Sequence, residues 1–239
     1  MGLHDTGDIR IRDALRALQA LLRDPDDTAQ VFRIVDALSG RNGERTLARL
    51  RKSETGKELL AEHPDLLPKL TDRAALSALA DGTLGREYLR FLDSEGITAQ
   101  GLLQASVEGR REMKPDVDPD LYFLRDRMRD THDLWHTVTG YKGDLIGEAS
   151  LLAFSFAQTW NPGIGLIVLT ALVQGRDPAI RKLIAGGFSR GLRAAWLPSV
   201  KWENLLDRPL EEVRRRLNVG APVAYEPLRT AAFKAPMAA

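Results

Sequence analysis

Apolar residues return with helical period in nearly every segment of this chain, and that repetition confines it to an all-α fold. Ile11, Leu15, Leu18 and Leu22 keep the i, i+4, i+7, i+11 spacing of one stripe, which Asp24-Pro25-Asp26-Asp27 ends. Val31, Ile34, Val35 and Leu38 form the next, closed by Ser39-Gly40 and Asn42-Gly43. Leu47 and Leu50 begin a short stretch. Thr55 to Leu60 forms another and stops before Pro64, because the residue ahead of a proline disfavours helical geometry. Thr71-Asp72 caps Ala74 to Leu79 and Asp81-Gly82 breaks it; Leu84, Tyr88, Leu89 and Leu92 then mark a helix ended near Gly96. Lys114 to Asp120 reads as a loop, and Asp120 opens a single helix running to about Gly140. After a turn at Gly140 to Asp144, one helix carries Glu148 to about Thr159, two more follow, and Pro209 to Leu217 forms the last. The Ile164 to Val173 run has the length of a buried strand, but helical neighbours on both sides favour a buried helix. The expected architecture is a single multi-helix, all-α domain over residues 1–239.

The composition narrows the chemistry. Cysteine is absent from the 239 residues, which excludes disulfides, thiolate-bound metals and thiol nucleophiles. Thirty-four basic residues nearly balance thirty-three acidic ones, so no global field points to nucleic acid. No apolar run reaches the roughly 20 residues that span a bilayer, and Asp5 and Asp8 make the opening segment unlike a signal peptide or a presequence. These features predict a cytoplasmic protein, with peripheral membrane association left open.

The chemistry-bearing residues concentrate in His132-Asp133-Leu134-Trp135-His136 and Glu148. At about 100° per residue, His132, His136 and Asp133 fall within one sector of a helix. Two imidazoles at i and i+4 can close on one metal ion, and a glycine-containing turn brings Glu148 back at the start of the next helix. The resulting set of two nitrogens and two carboxylates suits zinc, and also iron or manganese. One carboxylate can instead serve as a general acid–base group or orient an imidazole. A histidine pair at this spacing also occurs as ordinary polar surface. Asp126 and Asp130 extend the acidic side, where Arg125, Arg127 and Arg129 are placed to neutralise them.

A second cluster, Arg176 to Trp202, alternates apolar residues with Arg181, Lys182, Arg190, Arg193 and Lys201. Such a stretch can lie on an anionic membrane surface or simply pack one face on the core, and Gly186-Gly187 is a candidate break within it. His4 and His63 stand isolated in sequence. A metal phosphohydrolase of the HD type would need a further upstream histidine, and only His63, beside Pro64, has a sensible separation.

The pattern H-D-x-x-H, eleven residues, then E resembles the signature of the Coq-four family of ubiquinone (coenzyme Q) biosynthesis. The likeness extends to Gly82 through Leu92, Arg127 and Arg129, Gly147-Glu148, Gln158-Thr159, Pro162, Trp202-Glu203 and Val213-Arg214, from about residue 30 onward. The sequence departs from the eukaryotic pattern after Glu148, with Leu152-Ala153-Phe154-Ser155 where those members carry Lys-Trp-Phe-Glu. The resemblance implies a helical protein whose metal, usually described as zinc, is bound by His132, Asp133, His136 and Glu148. It also implies decarboxylation at ring carbon one of 4-hydroxy-3-methoxy-5-polyprenylbenzoate, with or without hydroxylation, with Glu148 or Asp133 delivering a proton. A prenyl tail needs an apolar groove, for which Phe154, Phe156, Trp160, Leu166, Ile167 and Leu169 are candidates, core packing being their other role. The implied partners are the polyprenylated aromatic substrate, other ubiquinone-biosynthesis enzymes and a membrane surface, with no nucleic acid and a homodimer left open. A lipid-binding scaffold without catalysis is the alternative. The missing presequence suggests a bacterial member, on the inner face of its cytoplasmic membrane.

Overall fold

A computed structural model of the chain describes residues 9–25, 27–109, 117–175 and 177–228. Among them lie fourteen α-helices, two 3-10 turns and no strand beyond an isolated bridge between Thr83 and Pro209, so the class is all-α as the sequence predicts. In chain order the helices are α1 (Ile11–Arg23), α2 (Thr28–Leu38), α3 (Asn42–Leu50), α4 (Glu54–Glu62), α5 (Leu67–Thr71), α6 (Arg73–Ala78) and α7 (Leu84–Glu95). They continue as α8 (Ala99–Gly109), α9 (Pro119–Asp130), α10 (His132–Thr139), α11 (Leu145–Thr159), α12 (Pro162–Gln174), α13 (Pro178–Arg193) and α14 (Leu210–Arg216). The contacts divide the chain into two compact units. One is built from Met1–Asn42, Tyr141–Arg193 and Val223–Ala239, the other from Gly43–Gly140 and Ala194–Pro222.

In the first unit α11 is the hub, with α12 and α13 packed on it. Small residues allow the backbones to meet: a Cβ on Gly187 would stand 2.2 Å from the Ser150 carbonyl oxygen, and one on Gly191 2.5 Å from that of Phe154. Gly186-Gly187 therefore does not break α13, which runs through both. Ala17, Ile34 and Ile167 form one buried cluster, and Ala153, Val168 and Ile184 another. The α1 stripe read from the sequence is turned differently. Ile11, Leu15 and Leu22 are 61%, 49% and 42% exposed, while Ala14 and Ala17 are buried. Small side chains at Ala14 and Ala17 let α1 approach its neighbours closely, with Leu18 and Leu21 filling the flanks. Periodicity identifies an apolar sector but not which edge of it faces inward.

In the second unit Leu47, Leu50, Leu121 and Leu124 form a buried cluster, and Leu84, Tyr88, Leu89 and Leu92 bury one face of α7 as their spacing predicts. Gly96 ends α7 in the left-handed conformation at φ 69°. Two helices, α5 and α8, have no counterpart in the sequence reading. The expected single helix from Asp120 to Gly140 is two helices, broken at Thr131. Thr131 sits at φ −88°, ψ −1° and its hydroxyl donates to the Arg127 carbonyl at 2.8 Å, a back-bond that bends helices. Beneath the break, Arg127 donates to both carboxylate oxygens of Glu203, at 2.6 and 2.9 Å, and the pair is almost fully buried.

Candidate metal-binding residues

α10 is short but deeply set: Leu134, Trp135 and Val138 belong to the core. Its last carbonyls are held by Arg214, which donates to Val138 O at 2.9 Å and Thr137 O at 3.1 Å. Gly140 closes the helix at φ 77°, where only glycine fits, since a Cβ there would stand 2.6 Å from the Pro222 side chain. His132 opens the helix, and His136, one turn later, is 1% exposed. Their Nε2 atoms face each other at 3.2 Å, with the rings nearly perpendicular at 85°. Metal–nitrogen bonds of 2.0–2.1 Å in a tetrahedral site hold two nitrogens about 3.3 Å apart. The pair therefore has the separation one such ion requires. Phe91, from α7, stacks on the His136 ring with centroids 5.1 Å apart and planes 16° from parallel. Phe91 lies in the block quoted from the sequence, but its contact with His136 depends on the packing of α7 against α10.

Asp133 lies in the first turn of α10, but its carboxylate does not join the histidine nitrogens in one ligand group; its charge reaches the buried Tyr88 hydroxyl. Burial pushes that phenol above its ordinary range, and the charges of Asp133 and Asp130 push it further. Burial likewise raises the Asp130 carboxyl, against the pull of Arg129, whose Nε donates to it at 3.0 Å. Asp126 accepts from the same arginine at 2.8 Å, so Arg129 bridges the two carboxylates of this acidic face. Arg127, expected to share that task, turns instead to Glu203.

Glu148 belongs to the first unit, half-buried in the opening turn of α11. Asp144 caps that helix, its Oδ1 accepting from the Ile146 and Gly147 amides at 3.1 and 3.4 Å. His63 is engaged elsewhere: it stacks on Phe123 at 4.5 Å and bonds Asp120 at 2.9 Å. Among the described residues, the HD-type arrangement thus lacks its upstream histidine. His4 lies outside the described residues, as does Arg176.

The basic cluster is divided by the fold. Arg190 is buried over the Tyr141 ring at 5.0 Å, while Arg181, Lys182 and Arg193 stay exposed on α13. Lys201 pairs with Glu58 at 2.9 Å and Glu62 at 3.4 Å. Of the expected groove residues, Phe154 and Ile167 are core, whereas Trp160 and Leu169 are 55% and 58% exposed. Phe156, Trp160 and Phe188 form an aromatic trio with centroids 5.4 to 5.9 Å apart.

The sequence model of the family described as coenzyme Q (ubiquinone) biosynthesis protein Coq4 matches residues 13–222. The chain belongs to that family, which takes part in ubiquinone biosynthesis. It is 32% identical over 200 residues to a mitochondrial ubiquinone biosynthesis protein COQ4 homolog of Danio rerio, covering 79% of this chain and 70% of the relative. It is 32% identical over 175 residues to the mitochondrial ubiquinone biosynthesis protein COQ4 of Yarrowia lipolytica, covering 72% and 64%. A crystal structure from Nostoc punctiforme, provisionally described as a ubiquinone biosynthesis protein, superposes with a TM-score of 0.63 at 27% identity, covering 88% of this chain and 99% of that one. The chain thus spans 64% to 70% of the lengths of these two curated relatives.

These relatives correct the expected bacterial, cytoplasmic placement, because both are named as mitochondrial. Acidic residues near the start describe one segment's composition, which does not determine a compartment. Among the described residues no helix is long and apolar enough to cross a membrane.

Proposed function

We propose that His132, His136 and Glu148 together hold one divalent ion, zinc being the simplest choice and iron or manganese also compatible with the donors. The observation that carries this reading is the 3.2 Å separation of the two Nε2 atoms. Only five residues, Gly140 to Asp144, separate α10 from α11, which keeps Glu148 near the histidines along the chain. Asp133, outside that ligand group, is the second carboxylate, as proton donor.

The reaction we infer is decarboxylation at ring carbon one of 4-hydroxy-3-methoxy-5-polyprenylbenzoate, within a domain acting as one over residues 1–239. A bound ion supplies Lewis acidity for the substrate's carboxylate and neighbouring oxygens. The bond between ring and carboxylate breaks, carbon dioxide leaves, and the electron pair stays on the ring carbon. A proton taken up from solvent by the Asp133 or Glu148 carboxyl is delivered to that carbon. The exposed Trp160, beside Phe156 and Phe188, and the exposed Leu169 offer apolar surface for the prenyl tail. The other enzymes of ubiquinone biosynthesis and a peripheral membrane surface are the partners this reading needs.

The test is an assay of the purified protein with a short-tailed substrate, with and without oxygen, alongside its metal content. Carbon dioxide release that follows metal content supports the reading, and ring hydroxylation in the aerobic arm alone would make the outcome oxidative. No product with any metal, from folded protein, overturns it. A second reading, a lipid-presenting scaffold, is favoured by the exposed Ile11, Leu15, Phe32, Leu169 and Val173 of the first unit. Glu148→Ala separates the two. Lost turnover with lipid binding intact supports catalysis, while lost folding points to a structural ion.

A further inference from the structure

Asp144 is 2% exposed, yet it does more than cap α11. Its Oδ2 accepts from the Tyr225 hydroxyl at 2.6 Å, and its Oδ1 also accepts from the Leu228 amide at 2.9 Å. The Tyr225 oxygen in turn accepts from the Lys142 amide at 2.9 Å, while the Leu145 amide donates to Leu228 O at 3.0 Å. Residues 223–228, which carry no regular secondary structure, therefore close on the turn that opens α11.

The first amides of a helix lack partners inside it. Here Leu145 donates to Leu228 O of this strap, Ile146 and Gly147 donate to the Asp144 side chain, and Glu148 makes the first ordinary bond of the helix, to Asp144 O at 2.8 Å. The strap supplies the acceptor that the cap residue alone does not. Gly147 fits because it has no side chain: a Cβ would stand 2.0 Å from Lys142 O and 2.4 Å from the Tyr225 hydroxyl. The residue just before Glu148 is thus confined on both sides.

We propose that residues 223–228 are a clasp that sets the backbone of Glu148, with Tyr225 and Asp144 as positioning residues for its carboxylate. This rests on Glu148 being a metal donor. A ligating carboxylate must be held to within about 0.5 Å, and loss of such supporting groups typically weakens metal binding about 10- to 100-fold.

The test is Co2+ titration of the full-length chain and of Tyr225→Phe, read by isothermal calorimetry and by the visible d–d absorption of the bound ion. Tyr225→Phe keeps the ring and loses the hydroxyl that joins Asp144 to Lys142. Its expected affinity is about 10-fold weaker or worse, with a changed absorption band, in protein whose helical circular dichroism is unchanged. If that variant does not fold, Asp144→Asn is read on the same scale, since it keeps one acceptor oxygen. Affinity within about twofold of wild type and an unchanged band, at whatever melting temperature, would overturn the clasp while leaving the metal site standing. A wild-type chain that takes up no Co2+ overturns both.

Discussion

α10 and α11 follow one another in the chain, yet they are held from opposite ends. α10 has eight residues, too few to stand alone in water, and its C-terminal carbonyls meet the Arg214 guanidinium. α11 has fifteen, and its N-terminal amides meet the Asp144 carboxylate. Each charge complements the helix end it touches, a cation at the negative pole and an anion at the positive one. The consequence for the candidate ligands differs. In α10 the anchor lies at the far end from His132, and His136 is fixed by burial and by the Phe91 ring. In α11 the anchor lies within four residues of Glu148. His132, far from the Arg214 anchor, and His136, held independently by burial and by Phe91, should therefore tolerate its loss, and the glutamate should not tolerate loss of Asp144.

The largest expected effect comes from beneath α10. Arg127→Ala leaves the Glu203 carboxylate buried without its partner and should cost about 3–5 kcal/mol. Urea unfolding measures it, and native-state hydrogen exchange should show the 132–139 amides losing protection before those of 145–159. Equal loss in both segments would erase the contrast between α10 and α11.

Arg214→Met removes two bonds from a charged group to the carbonyls of buried residues, at an expected cost of about 1.5–3 kcal/mol. Divalent-ion affinity of the folded variant should stay within about twofold. A tenfold loss would show that the far-end anchor does reach the histidines.

Asp144→Ala removes the cap of α11 together with the bonds from Tyr225 and Leu228, and should cost at least as much as Arg214→Met, about 1.5–3 kcal/mol, yet weaken ion binding about 10-fold or more. Similar stability losses with different affinities separate the two anchors, which calorimetry on both variants can check.

The smallest effect is a pH dependence away from both helices. Burial alone would raise the Asp120 carboxyl, but hydrogen bonds from Arg51 and His63 outweigh it and hold the group below its usual value. A lowered folded value means the unfolded chain binds protons first. The contribution is fully present above the ordinary aspartate value of about 3.9 and is lost as pH falls through the lower folded one. Because Arg51 is half-exposed, solvent screening keeps the effect below about 1 kcal/mol. Asp120→Asn should flatten the stability curve below about pH 4; an unchanged curve would mean that Arg51 and His63 do not hold Asp120 in solution.

Most helices were legible because their signals are local. Pro64, Asp81-Gly82, Gly96 and Asn161-Pro162-Gly163 end or open elements through the backbone conformations they permit. α5 was not legible, since five residues with a proline at the second contain too little periodicity. The break at Thr131 was missed because His132 to Thr139 continues the helical pattern of Pro119 to Asp130, and a single hydroxyl back-bond interrupts it. The exposed stripe of α1 has a different origin. Alanines at 14 and 17 carry almost no hydropathy signal, yet they form the face on which α1 packs.

By itself the sequence determined the all-α class, the position of most turns and the i, i+4 histidine pair, because each depends on residues within one or two turns of one another. The family likeness was equally a property of the chain. Only the tertiary structure decided that His136 lies under Phe91, that Arg127 turns to Glu203, that Arg214 holds the end of α10 and that Tyr225 closes on Asp144. Those contacts join residues 45 to 81 positions apart, and no local pattern records them. A long-range contact is selected by the packing of whole helices, so it has no period of its own to read.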